Sequence, residues 1–414
     1  MAWKPEPRPT WVDAVNALGA NLGDDGRSLV PLDATDLLAA AQRNTGLDDY
    51  GDPGFRVGLT KLLDALESEA RLTLMGRILA RADLQRILQN RLGMIAAFAA
   101  HPEISRERVE APIFITGLGR TGTTLLHELL SHDPANRVPM QWELMYSVPP
   151  PETATYASDP RIEQVRREIT VMDEADPAFP AMHELAADVP TECIYIFAHE
   201  FMSDMWVGKF NIQSYAMWNG TTDRAPAYAW HRKTLQLLQS RHPGCWVLKA
   251  PSHLSQLPAL FAEYPDARVV MTHRDPVRVL GSLGSLMATL QRMRSDHVDY
   301  AKRIAEMAFG FAFLLGRVMQ ERDTGRVPTD RISDIRYQDL VRDPVGTVRA
   351  LYASWGLPFT AEHERRIHAH LAAQGHGKAR ATHSYAFADT GLDLAEQRAA
   401  FRAYLERFGI PAEE

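Results

Sequence analysis

A glycine-rich turn between an apolar segment and an amphipathic helix constrains this chain more than any other feature of its sequence. The string APIFITGLGRTGTTLLHELL, residues 111–130, has the pattern of a β-strand, a turn with three glycines and a helix. In that arrangement, successive backbone N–H groups and the positive end of the helix face one point, which favours an anion there. Arg120, Thr121, Thr123 and Thr124 add side-chain donors that a plain connection would not need. The pattern therefore predicts a binding site for a phosphate-like anion.

The same string also matches the dinucleotide-binding fingerprint. Gly117-x-Gly119-x-x-Gly122 is followed, about 20 residues later, by Glu143, where an acid that binds ribose would lie. The fingerprint has small or apolar residues around its glycines, whereas here an arginine lies in the turn and two threonines begin the helix. Hydride transfer needs none of these polar groups, so the match is a weak indication of a dehydrogenase.

A third interpretation of the turn is a Walker A loop. Gly117 and Gly122 have the required spacing and are followed by Thr123 and Thr124. Thr123, however, occupies the position of the lysine that reaches the β- and γ-phosphates, which argues against hydrolysis of ATP or GTP as the function. A cation placed earlier, at Arg120, suits a shorter donor whose transferable group lies closer to the nucleoside.

Strand-like and helix-like segments alternate after residue 108. Short apolar, β-branched segments near turn signals lie at 113–116, 137–140, 245–248, 268–272 and 332–336. Pro139 restricts the second of them to a sheet edge or a strand end. Helical patterns separate most of these segments, so we expect an α/β, P-loop-like three-layer fold with a mainly parallel sheet and ligands beyond the carboxyl ends of its strands.

The domain organisation follows from where these patterns change. Residues 1–108 alternate apolar and charged positions at helical spacing, which predicts an N-terminal helical region, and residues 109–414 form the α/β domain. Residues 150–244 are a helical insertion rich in aromatic residues: Phe179, Tyr195, Phe197, Phe201, Trp206, Phe210, Tyr215, Trp218, Tyr228 and Trp230. These aromatic residues are either core residues of the insertion or the lining of an apolar pocket over the sheet.

Composition excludes several classes of protein. With 414 residues, 45% hydrophobic and 23% charged, the chain can bury a large core, and a net charge of −7 argues against general binding of nucleic acid. Two cysteines, Cys193 and Cys245, are too few for a disulfide framework, and neither they nor the 15 histidines show a metal-binding spacing. We therefore expect no metal. The beginning, MAWKPEPRPTW, has no apolar signal core, and no long apolar run follows, so we expect a cytoplasmic protein without a membrane span.

Three motifs, one of them in the turn itself, resemble segments of a single known family. Arg120-Thr-Gly-Thr-Thr resembles the 5′-phosphosulfate-binding loop of sulfotransferases. The string THRDPVRVLGSL resembles the 3′-phosphate-binding element of that family, with Arg274 at a strand end and Ser282 eight residues later on the helix that Asp275 caps. The string IRYQDL resembles a third family segment, in which Tyr337 would contact the adenine.

The resemblance covers residues 109–410, and the strings WEL at 142–144 and WVLKAPSH at 246–253 favour the bacterial branch of the family. Two features depart from the cytosolic animal enzymes. Leu125 replaces a tryptophan that stacks on adenine, and the C-terminal glycine-rich and basic element is missing. Lys378 and Arg380 are the remaining candidates for a lid over the 3′-phosphate.

The resemblance implies a donor and a set of roles. The donor is 3′-phosphoadenosine 5′-phosphosulfate (PAPS), which becomes 3′-phosphoadenosine 5′-phosphate (PAP), and no metal is needed. Arg120 and Lys249 would stabilise the charge that develops on the leaving phosphate. Glu143 is the expected base, and His253 is the alternative. His253 lies four residues after Lys249, a spacing that on a helix would put both side chains on one face. The residues expected to bind the donor are Gly119, Arg120, Thr121, Gly122, Thr123, Thr124, Arg274, Ser282, Tyr337, Lys378 and Arg380.

The acceptor is defined only by class. The aromatic insertion suggests a hydroxyl or amine on a small apolar or aromatic molecule, such as a lipid or an aromatic alcohol. A nucleotide kinase-like phosphotransferase and a non-catalytic nucleotide-binding protein on the same fold remain alternatives. Metal dependence distinguishes the first of these and turnover the second. A homo-oligomer is compatible with the sequence.

Overall fold

Five parallel strands form the central sheet of this protein. The computed structural model describes residues 3–182, 185–376 and 387–413. The strands run in the order β2-β3-β1-β4-β5. Their bounds are β1 (Ile113–Gly117), β2 (Asn136–Arg137), β3 (Cys245–Lys249), β4 (Arg268–His273) and β5 (Ile332–Arg336). The predicted mainly parallel sheet is confirmed, and the second strand is a short edge strand that ends before Pro139, as a proline requires.

Helices account for most of the remaining chain. Their bounds are α1 (Thr10–Asn21), α2 (Ala34–Thr45), α3 (Phe55–Ser68), α4 (Leu74–Ala100), α5 (Thr123–Ser131), α6 (Gln141–Met145), α7 (Pro160–Ala175), α8 (Phe179–Met182), α9 (Ile194–Phe197), α10 (Asp204–Lys209), α11 (Gln213–Thr221), α12 (Ala225–Gln239), α13 (Leu257–Glu263), α14 (Pro276–Arg292), α15 (Tyr300–Asp323), α16 (Tyr337–Arg342), α17 (Pro344–Ser354), α18 (Ala361–His376) and α19 (Leu394–Phe408). Within the described ranges, none of these helices is long and apolar enough to cross a membrane.

Alternation along β1 divides the core into two layers of helices. Ile113 and Ile115 face α5 and α17, whereas Phe114 points to the other face and packs with α12 and α13. All five residues of β1 are buried, which is the pattern of a central strand covered on both faces. The carboxyl ends of β1, β3 and β4 therefore meet at one edge of the sheet, where α5 begins after the glycine-rich turn.

The N-terminal helices share a core with part of the insertion. Apolar residues of α2, α3 and α4 form one cluster with residues 198–215, including Phe201, Trp206 and Tyr215. Eight of the ten aromatic residues singled out in the insertion are buried, with Tyr195 and Trp218 only partly so. These side chains are mainly core residues, and the alternative of an open aromatic pocket receives little support from them.

Candidate active site

The backbone of the glycine-rich turn adopts conformations that few residues other than glycine tolerate. Gly117 has φ 150° and Gly122 has φ 89°. A Cβ atom at Gly117 would lie 2.5 Å from the hydroxyl oxygen of Thr272 and 2.6 Å from its carbonyl oxygen. Arg120 also has positive φ, 66°, which is unusual for a residue with a side chain and points to a constrained loop. The turn is therefore held close against β4.

Thr121 holds this turn in place from inside. Its hydroxyl donates to the carbonyl oxygen of Leu118 at 2.6 Å and lies 2.7 Å from the hydroxyl of Thr272. The side chain is fully buried, so only the backbone N–H of Thr121 is left for an anion. Thr123 is buried as well, whereas Thr124, one residue further into α5, is exposed.

The two predicted phosphate-binding elements meet at this edge of the sheet. Nε of Arg120 donates to the hydroxyl of Ser282 at 3.1 Å, and Nη1 of Arg274 donates to the carbonyl oxygen of Arg120 at 3.1 Å. The guanidinium carbon of Arg274 lies 4.0 Å from the centre of the Tyr337 ring. Asp275 caps α14 through the N–H of Val277, as its position in the sequence predicts. The structure thus brings Arg120, Ser282, Arg274 and Tyr337 together.

A carboxylate near the end of the chain already binds Arg274. Nη2 of Arg274 lies 2.8 Å from Oε2 of Glu413, and Gln338 approaches the other carboxylate oxygen at 3.4 Å. The N–H of Glu413 donates to Asp275 at 2.8 Å, which ties this segment to the beginning of α14. The resemblance predicts that an anion, the 3′-phosphate of the donor, lies beside Arg274. In this structure the anion beside Arg274 is the carboxylate of Glu413.

Lys249 reaches the turn from the neighbouring strand. It is the last residue of β3 and is almost fully buried, and its Nζ lies 2.6 Å from Oε1 of Glu192 and 3.4 Å from the hydroxyl of Thr124. Glu192 retains 21% of its side-chain exposure. The two residues place a cation and a partly accessible carboxylate beside the beginning of α5.

Glu143, the carboxylate expected to be the base, lies in a different environment. Its side chain is fully buried, and its carboxylate accepts from Arg137 at 2.5 Å, from the N–H of Met140 at 2.9 Å and from Tyr156 at 2.8 Å. Both oxygens of this carboxylate have partners, and its bond to the N–H of Met140 stabilises the beginning of α6. A base must reach a proton of the acceptor, so this enclosed environment favours a structural role for Glu143 over the expected catalytic one.

His253 is also enclosed. Its ring has no exposed surface, its Nδ1 lies 2.8 Å from the hydroxyl of Tyr228, and its ring packs edge-on against Phe114 at 4.9 Å. Burial holds the pKa of His253 well below the ordinary histidine value. The four-residue spacing from Lys249 suggested one helix face, but Lys249 ends a strand and the backbone at Ala250 is extended, so the two side chains point to different neighbours.

Two acidic residues at this edge, Glu192 and Glu413, were not predicted from the sequence. Glu192 lies in the aromatic insertion, outside any motif, and Glu413 lies beyond the last helix. Lys378 and Arg380, the candidates for a lid, lie outside the described residues.

Comparison with known proteins agrees with this geometry. Residues 112–361 match the model of the sulfotransferase family. Stf3, the omega-hydroxy-beta-dihydromenaquinone-9 sulfotransferase of Mycobacterium bovis and Mycobacterium tuberculosis, is 27% identical over 253 residues, which is 60% of this chain. The match spans 63% of the length of Stf3, less than two thirds of that relative.

Two solved structures match over more of the chain. Sulfotransferase STF1 of Mycobacterium tuberculosis is 33% identical, with a TM-score of 0.79 over 90% of this chain and 98% of its own. Sulfotransferase STF9 of Mycobacterium avium is 31% identical, with a TM-score of 0.84 over 92% of this chain and 97% of its own. The family match, these two structures and the cationic turn lead to one conclusion: the chain belongs to the sulfotransferase family.

Proposed function

We propose that this protein transfers a sulfuryl group from PAPS to a hydroxyl group of a small apolar acceptor. One observation carries the proposal: Arg120, Lys249 and Arg274 converge on the glycine-rich turn at the carboxyl edge of the sheet. The chain as a whole has a net charge of −7, so this concentration of cations is a local feature that suits a polyanionic donor.

The donor would lie along the turn with its two ends held by different elements. Backbone N–H groups of the turn, Arg120 and Thr124 would bind the 5′-phosphosulfate. Arg274 and Ser282 would bind the 3′-phosphate, and Tyr337 would lie against the adenine. Ser282 already receives a hydrogen bond from Arg120, so the two phosphate sites are joined by a direct contact.

The transfer step needs a base and a cation near the sulfur. Glu192 would take the proton of the acceptor's hydroxyl group while the hydroxyl oxygen forms a bond to sulfur. The bond between sulfur and the bridging oxygen breaks, its electron pair stays on the 5′-phosphate of PAP, and Lys249 and Arg120 stabilise that charge. The 2.6 Å contact between Nζ of Lys249 and Oε1 of Glu192 holds this partly accessible carboxylate close to the turn, which is why we prefer it to the enclosed Glu143 and His253.

An apolar alcohol is the proposed class of acceptor. Stf3 is named for an omega-hydroxylated menaquinone derivative, and this relative supports a hydroxyl acceptor on a lipid-like molecule. Neither cysteine forms a disulfide, which agrees with the proposed cytoplasmic location.

Calorimetry with PAP and AMP tests the assignment of the donor. PAP is expected to bind at least tenfold more tightly than AMP, because only PAP carries the phosphate that Arg274 and Ser282 would bind; such a charge-assisted contact is worth about 1.5–3 kcal/mol. Equal affinities would contradict the assignment. A screen of apolar alcohols with labelled PAPS would then identify the acceptor.

The kinase-like alternative makes a different prediction. Thr123 replaces the Walker lysine, so we expect no hydrolysis of ATP and no requirement for added Mg²⁺ during transfer of label from PAPS. A strict Mg²⁺ requirement with ATP turnover would favour a phosphotransferase. PAP binding without turnover on any acceptor would favour the non-catalytic protein.

A further inference from the structure

Three potential metal ligands from distant parts of the chain meet in the core. Cys193 precedes α9, His231 lies on α12, and His253 lies in the turn after β3. One ligand atom of each residue lies within 4.8 Å of those of the other two, and all three side chains are fully buried. Their spacings in sequence, 38 and 22 residues, correspond to no local metal-binding motif, which is why the sequence led us to expect none.

Both histidines are oriented in the manner of metal ligands. Nδ1 of His231 lies 2.7 Å from the hydroxyl of Tyr264, and Nδ1 of His253 lies 2.8 Å from the hydroxyl of Tyr228. Protein metal sites commonly hold the outer ring nitrogen of a ligating histidine with an oxygen atom in this way. The tyrosines therefore leave Nε2 as the nitrogen that each ring can offer to an ion.

The Nε2 atoms of His231 and His253 are unpaired within the described residues. Both are buried and neither has a hydrogen-bond partner there. Leaving a buried polar atom unpaired costs about 1–3 kcal/mol, and here two such atoms belong to histidines whose ligand atoms cluster with the thiol of Cys193. A cation between them would satisfy both atoms at once.

The donor set selects the kind of ion. One thiolate and two imidazoles suit Zn²⁺ or Cu⁺, whereas Mg²⁺ and Ca²⁺ prefer oxygen ligands. Cys193 would lose its thiol proton on binding, and the ion would take that place on sulfur. We propose that Cys193, His231 and His253 form a buried site for one soft or borderline transition-metal ion of the zinc and copper class.

The position of the site indicates a structural role. The N–H of Cys193 donates to the carbonyl oxygen of Lys249 at 2.9 Å, and Cys193 directly follows Glu192 in the chain. An ion bound here would join the segment that carries Glu192 to the turn that follows Lys249. The site itself rests on side-chain geometry, so it stands or falls independently of the donor and the acceptor.

Metal analysis of the intact protein tests the proposal first. Protein expressed in medium supplemented with zinc, and protein refolded with Zn²⁺ or Cu⁺, would be analysed by mass spectrometry for bound metals. We expect about one equivalent of zinc or copper per chain, and the measurement identifies which. Protein without either metal after all three treatments would overturn the proposal.

The two cysteines provide a matched pair of variants. Cys193→Ser is expected to lose the metal, whereas Cys245→Ser keeps it, because Cys245 lies on β3 outside the cluster. Refolding with Co²⁺ adds a spectroscopic readout: the wild type and Cys245→Ser should show thiolate-to-cobalt charge-transfer absorption, and Cys193→Ser should not. Absorption that persists in Cys193→Ser would contradict the assignment.

His231→Gln checks that the ion is held by the imidazole as well as by sulfur. Far-UV circular dichroism would establish that the variant is folded, and its metal content should fall well below one equivalent. Full metal occupancy in folded His231→Gln would remove this histidine from the site and overturn the three-ligand proposal.

Discussion

Two glutamates, Glu143 and Glu192, have very different environments in this protein. Glu143 is fully buried and pairs with Arg137, whereas Glu192 is partly exposed and pairs with Lys249 beside the glycine-rich turn. A carboxylate with every oxygen engaged in the core stabilises the fold. A carboxylate at an accessible edge can also exchange protons with a ligand.

Replacing Glu192 tests its role as the base. Glu192→Gln keeps the size of the side chain but removes the basic oxygen, so we expect kcat to fall by about 10²–10⁴ while PAP affinity changes little. Steady-state kinetics and calorimetry measure the two quantities.

Glu143→Gln serves as the matched control for this variant. It should lower stability by about 3–5 kcal/mol, because it breaks a buried pair with Arg137, but kcat per folded molecule should persist. If folded Glu143→Gln is inactive with normal PAP affinity while Glu192→Gln turns over normally, Glu143 is the base and our proposal is wrong.

Arg120 is expected to act both on binding and on the transfer itself. Arg120→Ala removes the cation and the contact with Ser282, so kcat should fall by about 10²–10³ and the donor should bind more weakly. Ala has a Cβ atom as Arg does, so the strain of positive φ is unchanged. Arg331→Ala, at an exposed position before β5, is the control and should match the wild type. An Arg120→Ala enzyme with unchanged kcat would exclude Arg120 from the transfer step.

At the scale of elements, the C-terminal segment after α19 has a position that its sequence did not reveal. Arg398 donates to the carbonyl oxygen of Glu413 at 2.7 Å, and the carboxylate of Glu413 pairs with Arg274. The segment therefore returns to the carboxyl edge of the sheet. If Arg274 binds the 3′-phosphate, this carboxylate must give way to it.

Glu413→Gln is expected to strengthen the binding of PAP. The variant removes an anion that competes for Arg274, and the gain should be about two- to fivefold, because partly exposed pairs contribute about 1 kcal/mol or less. AMP, which lacks the 3′-phosphate, should bind the variant and the wild type alike. Glu406→Gln, an exposed substitution on α19, is the control. Weaker PAP binding by Glu413→Gln would indicate that Glu413 organises the site instead of competing with the ligand.

For the whole molecule, buried histidines make stability depend on pH. Burial, reinforced by the charge of Lys249, lowers the pKa of His127 to about 3, and burial lowers the pKa of His199 to about 4. Unfolded histidines protonate near pH 6.5, so the unfolded state binds more protons between about pH 6.5 and 4. As the pH is lowered below about 6.5, the free energy of unfolding should therefore decrease, by up to about 1.4 kcal/mol per pH unit for each histidine.

Urea unfolding between pH 7.5 and 5 measures this dependence. His127→Gln, which can still donate to the carbonyl oxygen of Val247, should reduce the slope by about one proton. A slope that is identical in His127→Gln and the wild type would contradict the assignment of this pH dependence to His127.

The sequence alone determined the structural features that depend on residues close to one another along the chain. The strand, turn and helix around Arg120, the strands β3, β4 and β5 and the cap at Asp275 follow from side-chain periodicity, glycine conformation and capping, all of which act over a few residues. The pairing of Arg274 with the turn was also predictable, because carboxyl ends of parallel strands meet at one edge.

Only the tertiary structure decided which distant side chains share an environment. Glu192 meets Lys249 across 57 residues of chain, and Cys193 meets two histidines, because α9, α12 and the turn after β3 pack together. Tertiary packing also buries Glu143 against Arg137 and Tyr156, although its place after the second strand had made it the expected base. Whether a carboxylate becomes a base or a structural ion pair depends on burial and on its partners, and both are properties of packing between elements, which local sequence patterns do not specify.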